Sequence, residues 1–139
     1  VAKKIVLVVL TLVIGLAVYF GVSWYREARN TPEAAMASFM EDLAAGNAAA
    51  SYEKFSDAYM SQSRESGWQT YVKSIGGATT PALISSDPVV DRFNVYTEES
   101  NPQRFMYSLQ VKGRQYWVST VILKQDRSWK IDDFQGSYK

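Results

Sequence analysis

The stretch Ile5–Tyr25, IVLVVLTLVIGLAVYFGVSWY, carries no charge and no proline. Its roughly 21 residues, at about 1.5 Å rise each, make about 31 Å of helix, enough for a bilayer core of roughly 30 Å. Lys3 and Lys4 stand before it; Arg26 and Arg29 stand after it. Tyr19, Trp24 and Tyr25 gather toward its second end, where amphipathic rings favour the headgroup zone. Lys3, Lys4, Trp24, Tyr25 and Arg26 are therefore expected at the membrane interface. Gly15 and Gly21 let another helix approach closely and are the expected packing positions.

A secretory signal also has a basic start and an apolar run, but that run is usually about 7–15 residues and ends in small residues. Here the run is longer and ends in Val22-Ser23-Trp24-Tyr25, with no good small-x-small site. An uncleaved signal anchor is the expectation. The flanking charges nearly balance, so the positive-inside rule gives little contrast. A short N-terminal tail is easily retained, which sets the N-terminus in the cytoplasm and the rest of the chain outside it, on an inner (plasma) membrane. A pilin-like filament subunit is an alternative. It requires one continuous helix from residue 5 to beyond Phe39, and it would bury Lys3 and Lys4 in the filament.

Charge and composition narrow the chemistry. Of 15 basic and 14 acidic residues, four basic ones and Glu27 precede Asn30, leaving eleven basic against thirteen acidic beyond it. That balance leaves no basic footprint for nucleic acid. There is no cysteine, which excludes disulfides, thiolate nucleophiles and a lipoprotein anchor. There is no histidine, which removes Ser-His-Asp chemistry and most zinc and haem sites. An extracytoplasmic domain without disulfides points to a bacterial setting.

Residues 1–29 read as anchor and short linker, and residues 30–139 as one small domain. Thr31-Pro32-Glu33 is a helix start, with Thr as cap, Pro in the first turn and Glu against the dipole. Met36, Phe39, Met40 and Leu43 share one helical face, and Gly46 ends the helix. Asn47 caps a second helix expected over Ala48 to about Phe55, followed by a short turn or helix at Ser56–Met60. Trp68, Tyr71, Val72 and Ile75 mark a third, from about Gly67 to Ile75.

From Ala78 the period changes to about two. Strands are expected at Leu83–Ser85, Val89–Thr97, Arg104–Lys112, Gln115–Lys124 and Trp129–Phe134, with Pro88 marking an edge and Lys112-Gly113-Arg114 a hairpin turn. The Gln115–Lys124 strand is apolar on both faces and is expected to be central. The fold class is α+β, with three helices packed on a curved antiparallel sheet of about four strands behind one transmembrane helix.

This order resembles the cone-shaped superfamily of nuclear transport factor two and ketosteroid isomerase. The resemblance is carried by TPEAAMASFMEDLAAGNAAASYEKFSDAYM and by the closing RSWKIDDFQG, and covers about residues 31–138. It is nearest to small membrane-anchored bacterial members of unassigned function. It implies a cone cavity near Asp57 and Tyr59. No catalytic residue of that superfamily transfers position by position.

Few side chains suggest chemistry. Asp132 and Asp133 are strand neighbours and should point to opposite faces, which rules out a dyad. Glu98-Glu99 reads as turn surface, and Asp87 and Asp91 offer too few oxygens for a hard cation. No catalytic, cofactor-binding or metal residue is assigned. Trp117, Ser119, Val121 and Leu123 share a strand face opposite the expected helix layer and form the candidate interaction face. The expectation is a non-enzymatic accessory or scaffold subunit, docked on other subunits of a bacterial membrane complex through its helix and its domain. The alternative is a small-molecule binder or enzyme using the cone cavity.

Overall fold

The structure is a computed structural model that describes residues 1–90, 93 and 95–139. It divides into two units, 1–31 and 32–139.

The first unit is one helix, α1 (Ala2–Arg29), long and apolar enough to cross a membrane and with no buried residue. Thr11, within the apolar run, donates to the Leu7 carbonyl at 2.9 Å, so its hydroxyl is satisfied within the helix. Arg26 and Arg29 occupy the last turn, where cations complement the dipole. The Arg29 guanidinium lies 4.5 Å from the centroid of the Tyr25 ring. The helix stops at Asn30, and α2 (Pro32–Ala45) begins two residues later. The continuous helix that a pilin-like stalk requires is therefore absent.

The second unit is the α+β domain. Besides α2 it contains α3 (Ala48–Tyr52), α4 (Asp57–Gln62) and α5 (Glu65–Ser74). The strands are β1 (Ala82–Pro88), β2 (Gln103–Val111), β3 (Arg114–Gln125) and β4 (Ser128–Tyr138), with a 3-10 turn at Glu98–Ser100 before β2. Pro32 opens α2 and Glu33 sits in its first turn, as the sequence predicts. At its end Gly46 takes a left-handed φ of 79°. The Gly46 amide then reaches the Leu43 carbonyl and the Asn47 amide the Asp42 carbonyl, closing a Schellman motif. Asn47 turns at once to cap α3, its Oδ1 accepting from the Ala50 amide at 3.3 Å.

The second predicted helix is shorter than its pattern suggests. It leaves helical geometry after Tyr52 because the backbone around Phe55 pairs with β4. The Ile131 amide donates to the Lys54 carbonyl and the Ser56 amide to the Ile131 carbonyl. Ser56 then caps α4, the short helix expected near Ser56–Met60.

The four strands form one antiparallel meander in the order β1-β2-β3-β4. β3 is central, as expected. β1 is longer than predicted and runs along the outer edge of β2 from Ala82 to Pro88. Of the strand predicted at Val89–Thr97, the described residues Val89, Val90, Phe93 and 95–97 lie outside any strand, and Asp91, Arg92 and Asn94 lie outside the described residues. The β2–β3 and β3–β4 turns each have two residues at positive φ, Lys112-Gly113 and Asp126-Arg127, the geometry that matches strand twist.

One sheet face meets the helices. Phe105, Tyr107, Leu109 and Val111 of β2, and Tyr116, Val118 and Ile122 of β3, pack with Met36, Phe39, Met40 and Leu43 of α2 and with Trp68, Val72 and Ile75. Phe39 lies at the centre, its ring 5.5–6.0 Å from those of Phe55, Trp68 and Phe134. Two polar groups in this core are satisfied. Trp68 Nε1 donates to Ser51 Oγ at 2.8 Å, and Ser51 Oγ donates to the Ala48 carbonyl at 3.0 Å.

Candidate functional site

Among the described residues of the domain, two places combine space with polar groups. The first is a cleft of about 330 Å³ between α4, α5 and the end of β4, lined by Tyr59, Arg64, Trp68, Tyr71, Phe134 and Gly136 among others. Its position follows from the helical phase of α5. Trp68 points inward while Tyr71, three residues on, sits half-buried at the margin. The interior between the helices and the sheet is filled by Phe39, Phe55 and Phe105, all fully buried, so the cleft is what remains at one end.

At its base the Tyr71 and Tyr116 hydroxyls meet at 2.5 Å. Gly136 lies over them, and a Cβ at that position would collide with both oxygens. Burial pushes the Tyr71 phenol up strongly, and the bond to Tyr116 adds to the shift. Tyr59, stacked on Phe55 with centroids 4.3 Å apart, is also raised by burial. The Ser63 side chain pulls it back, and the charge of Asp133 adds a smaller push upward.

The second place is a groove of about 470 Å³ on the opposite sheet face, lined by Met106, Trp117, Ser119, Gln135, Ser137 and Lys139. Register sets Ser108 opposite Trp117 and Met106 opposite Ser119 on β2, with Ser137 and Gln135 opposite the same two on β4. The Lys139 ammonium lies 5.6 Å from the Trp117 ring centroid. Trp117 is half-buried, and its Nε1–H is buried with no hydrogen-bond partner among the described residues.

The residues singled out from the sequence fall as follows. Trp117 and Ser119 line the groove. Val121 does not contribute open surface, since it is only 3% exposed, and Leu123 is half-buried beyond the groove. Tyr59 lines the cleft; Asp57 does not, and its amide donates to Gln125 Oε1 at 3.3 Å. Asp132 and Asp133 sit at a β-bulge rather than on a regularly alternating strand. Val121 pairs with Asp133 and Ile122 with Ile131, so Asp132 is the extra residue on β4. Its Oδ1 accepts from Ser56 Oγ at 2.7 Å. Asp87 stands opposite Arg104 in register, and Glu98 and Glu99 are exposed in the 3-10 turn. Lys3, Lys4, Trp24, Tyr25 and Arg26 lie exposed on α1, and a Cβ at Gly15 or Gly21 would meet nothing within 4 Å.

Sequence reasoning missed the tyrosine pair and Gly136. The available signal was a glycine inside a strand, which marks a close approach by another group. Among the described residues, no group of three or more His, Cys, Asp or Glu could hold a metal ion. No protein-family model matches the chain, and no curated protein matches it.

Proposed function

We propose that this chain is a non-enzymatic, single-pass accessory subunit of a larger bacterial membrane complex. In this reading α1 is an uncleaved anchor in the inner membrane, with its N-terminus cytoplasmic and the α+β domain on the outer side. The domain docks on partner subunits through the groove around Trp117. The observation that carries the reading is the buried Trp117 Nε1–H without an acceptor. A buried polar group without a partner is rare, because leaving it so costs about 1–3 kcal/mol. It lies in an open groove whose other polar groups, Gln135, Ser137 and Lys139, are exposed. A partner carbonyl entering the groove would satisfy it.

The mechanism is attachment at two points. A helix held in the bilayer confines the domain near its partners, so a small groove with weak intrinsic affinity is sufficient. Gly15 and Gly21 offer places for a partner helix on α1.

The test is purification of the full chain in mild detergent as wild type, Trp117→Ala and Trp117→Phe. The reading expects subunits that co-purify in fixed ratio with wild type and are lost from both variants. The melting temperature should fall by less than about 4 °C in Trp117→Phe, a change below roughly 1 kcal/mol. Retention of the same subunits together with a lowered melting temperature makes Trp117 a structural residue and removes the reading.

A further inference from the structure

The cleft over the tyrosine pair has no part in docking through the groove, and its chemistry is of a different kind. Its volume of about 330 Å³ suits a small molecule. Sites for such ligands span roughly 300–1,000 Å³ and pair apolar walls with a few placed polar groups. The walls here are the rings of Trp68, Phe134 and Tyr59. Gly67 on α5 leaves the wall open, since a Cβ there would meet nothing within 4 Å.

The polar groups can be counted. A phenol has one proton to donate and two lone pairs to accept. Tyr71 and Tyr116 share one hydrogen bond, which uses one of their two protons. Among the described residues, no other hydrogen bond is made by either hydroxyl. Tyr116 is only 4% exposed, whereas Tyr71 lines the cleft. When Tyr116 donates to Tyr71, the Tyr71 proton is left to face the cleft. Burial keeps that phenol protonated. Gly136 preserves the arrangement, because any larger residue would fill the space over both hydroxyls.

The rim is positive. Arg64 lines the cleft, stands at the start of α5 and has no ion-pair partner among the described residues. No side chain caps α5, whose first-turn amides give that end a partial positive charge. Glu65 belongs to the same turn but does not line the cleft.

We propose that this cleft binds a small aromatic carboxylate, with its ring against Trp68 and Phe134 and its carboxylate accepting hydrogen bonds from Tyr71 and Arg64. Apolar walls select the ring, and the Tyr71 and Arg64 donors select the anion; Asp133, whose charge reaches Tyr59, does not itself line the cleft. The site requires Gly136, two tyrosines from elements far apart in the chain, and the start of α5; of these Gly136 also lines the groove, whereas Tyr71, Tyr116 and Arg64 do not.

The test uses the full chain in lipid nanodiscs, titrated calorimetrically with 2-naphthoate. Empty nanodiscs serve as the blank, and the neutral isostere 2-naphthamide as the control. Wild type should bind the carboxylate at least about ten-fold tighter than the amide, the scale of one charge-assisted hydrogen bond. Arg64→Gln, on the exposed rim, should erase most of that preference. Tyr71→Phe should weaken 2-naphthoate roughly five-fold or more. Gly136→Ala should abolish binding, and if that variant does not fold, the other two decide. Heat no greater than that of empty nanodiscs overturns the proposal. So does equal affinity for carboxylate and amide, or affinity unchanged in both Arg64→Gln and Tyr71→Phe. Loss of co-purifying subunits in Trp117→Ala bears only on the docking role.

Discussion

The hydroxyl oxygens of Tyr71 on α5 and Tyr116 on β3 meet at 2.5 Å, joining the helix layer to the central strand beneath Gly136. Residues 45 positions apart are held by one bond in a low-dielectric setting, where an unpaired hydroxyl is costly.

Gly136→Ala should destabilise the domain by about 1–3 kcal/mol, because the new methyl forces one or both rings out of place. Tyr71→Phe should cost about 1–3 kcal/mol for a different reason: it leaves the buried Tyr116 hydroxyl without its partner. Urea unfolding with unchanged slope would verify both. A double variant, Gly136→Ala with Tyr71→Phe, should lose less than the sum, since removing the hydroxyl relieves part of the collision.

Alkaline pH offers an independent check. Tyr59, Tyr71 and Tyr107 are all raised above 10.0, first by burial; Glu33 adds to the shift at Tyr107. A phenol raised in the folded state favours folding fully below its unfolded pKa of about 10, and loses that contribution as pH climbs through the folded value. Stability should therefore be flat up to about pH 10 and decline above it. The decline should be shallower in Tyr71→Phe. A tyrosinate absorbance titration should show these phenols ionising after the exposed ones.

Ser56 ties three things together. Its Oγ accepts from the Tyr59 amide at 3.1 Å, donates to Asp132 at 2.7 Å, and its amide holds the Ile131 carbonyl. Ser56→Ala should cost roughly 1–3 kcal/mol, from a lost helix cap and a lost bond to a carboxylate. Asp132→Asn keeps an acceptor and should cost less than half as much. Thermal melts of the two variants distinguish them.

A chain of residues 30–139 should fold cooperatively without α1. Among the described residues, the side chains of the core and those packed on it lie between Ala35 and Phe134, and the unit closes on itself. Within it, Phe39→Ala should cost about 3–5 kcal/mol, since Phe39 is fully buried among three rings. A fragment lacking near-ultraviolet circular dichroism would show that the boundary is misplaced.

Much of this architecture follows from local pattern. The 3.6-residue spacing of Met36, Phe39, Met40 and Leu43, and the alternation from Phe105 to Val111, each identify a buried face without knowledge of its partner. Gly46 and Asn47 reveal a helix end and a helix start by their own conformational preferences. The misses share a different cause. Phe55 leaves its helix because of Ile131, and the strand beside β2 is Ala82–Pro88, whereas the described apolar residues of 89–97 lie outside any strand. The tyrosine pair exists only once α5 and β3 meet. Of the candidate sites, Trp117 was legible as one member of an alternating strand, whereas the burial of Val121 depends on what else the chain lays against that face.

The meander has a consequence for the order of assembly. Every strand pairs with its neighbour in sequence, and β2, β3 and β4 do so through two-residue turns, so that part of the sheet can zip up locally as soon as it is synthesised. α2 cannot do the same. Its partners include Thr120, whose hydroxyl reaches the Met36 sulfur at 3.4 Å across 84 residues, and Phe134, whose ring meets Phe39. The first helix of the domain is thus the last to find cover. Until β4 emerges, its sticky face is exposed just downstream of an equally apolar stretch, a window in which a chaperone would matter most.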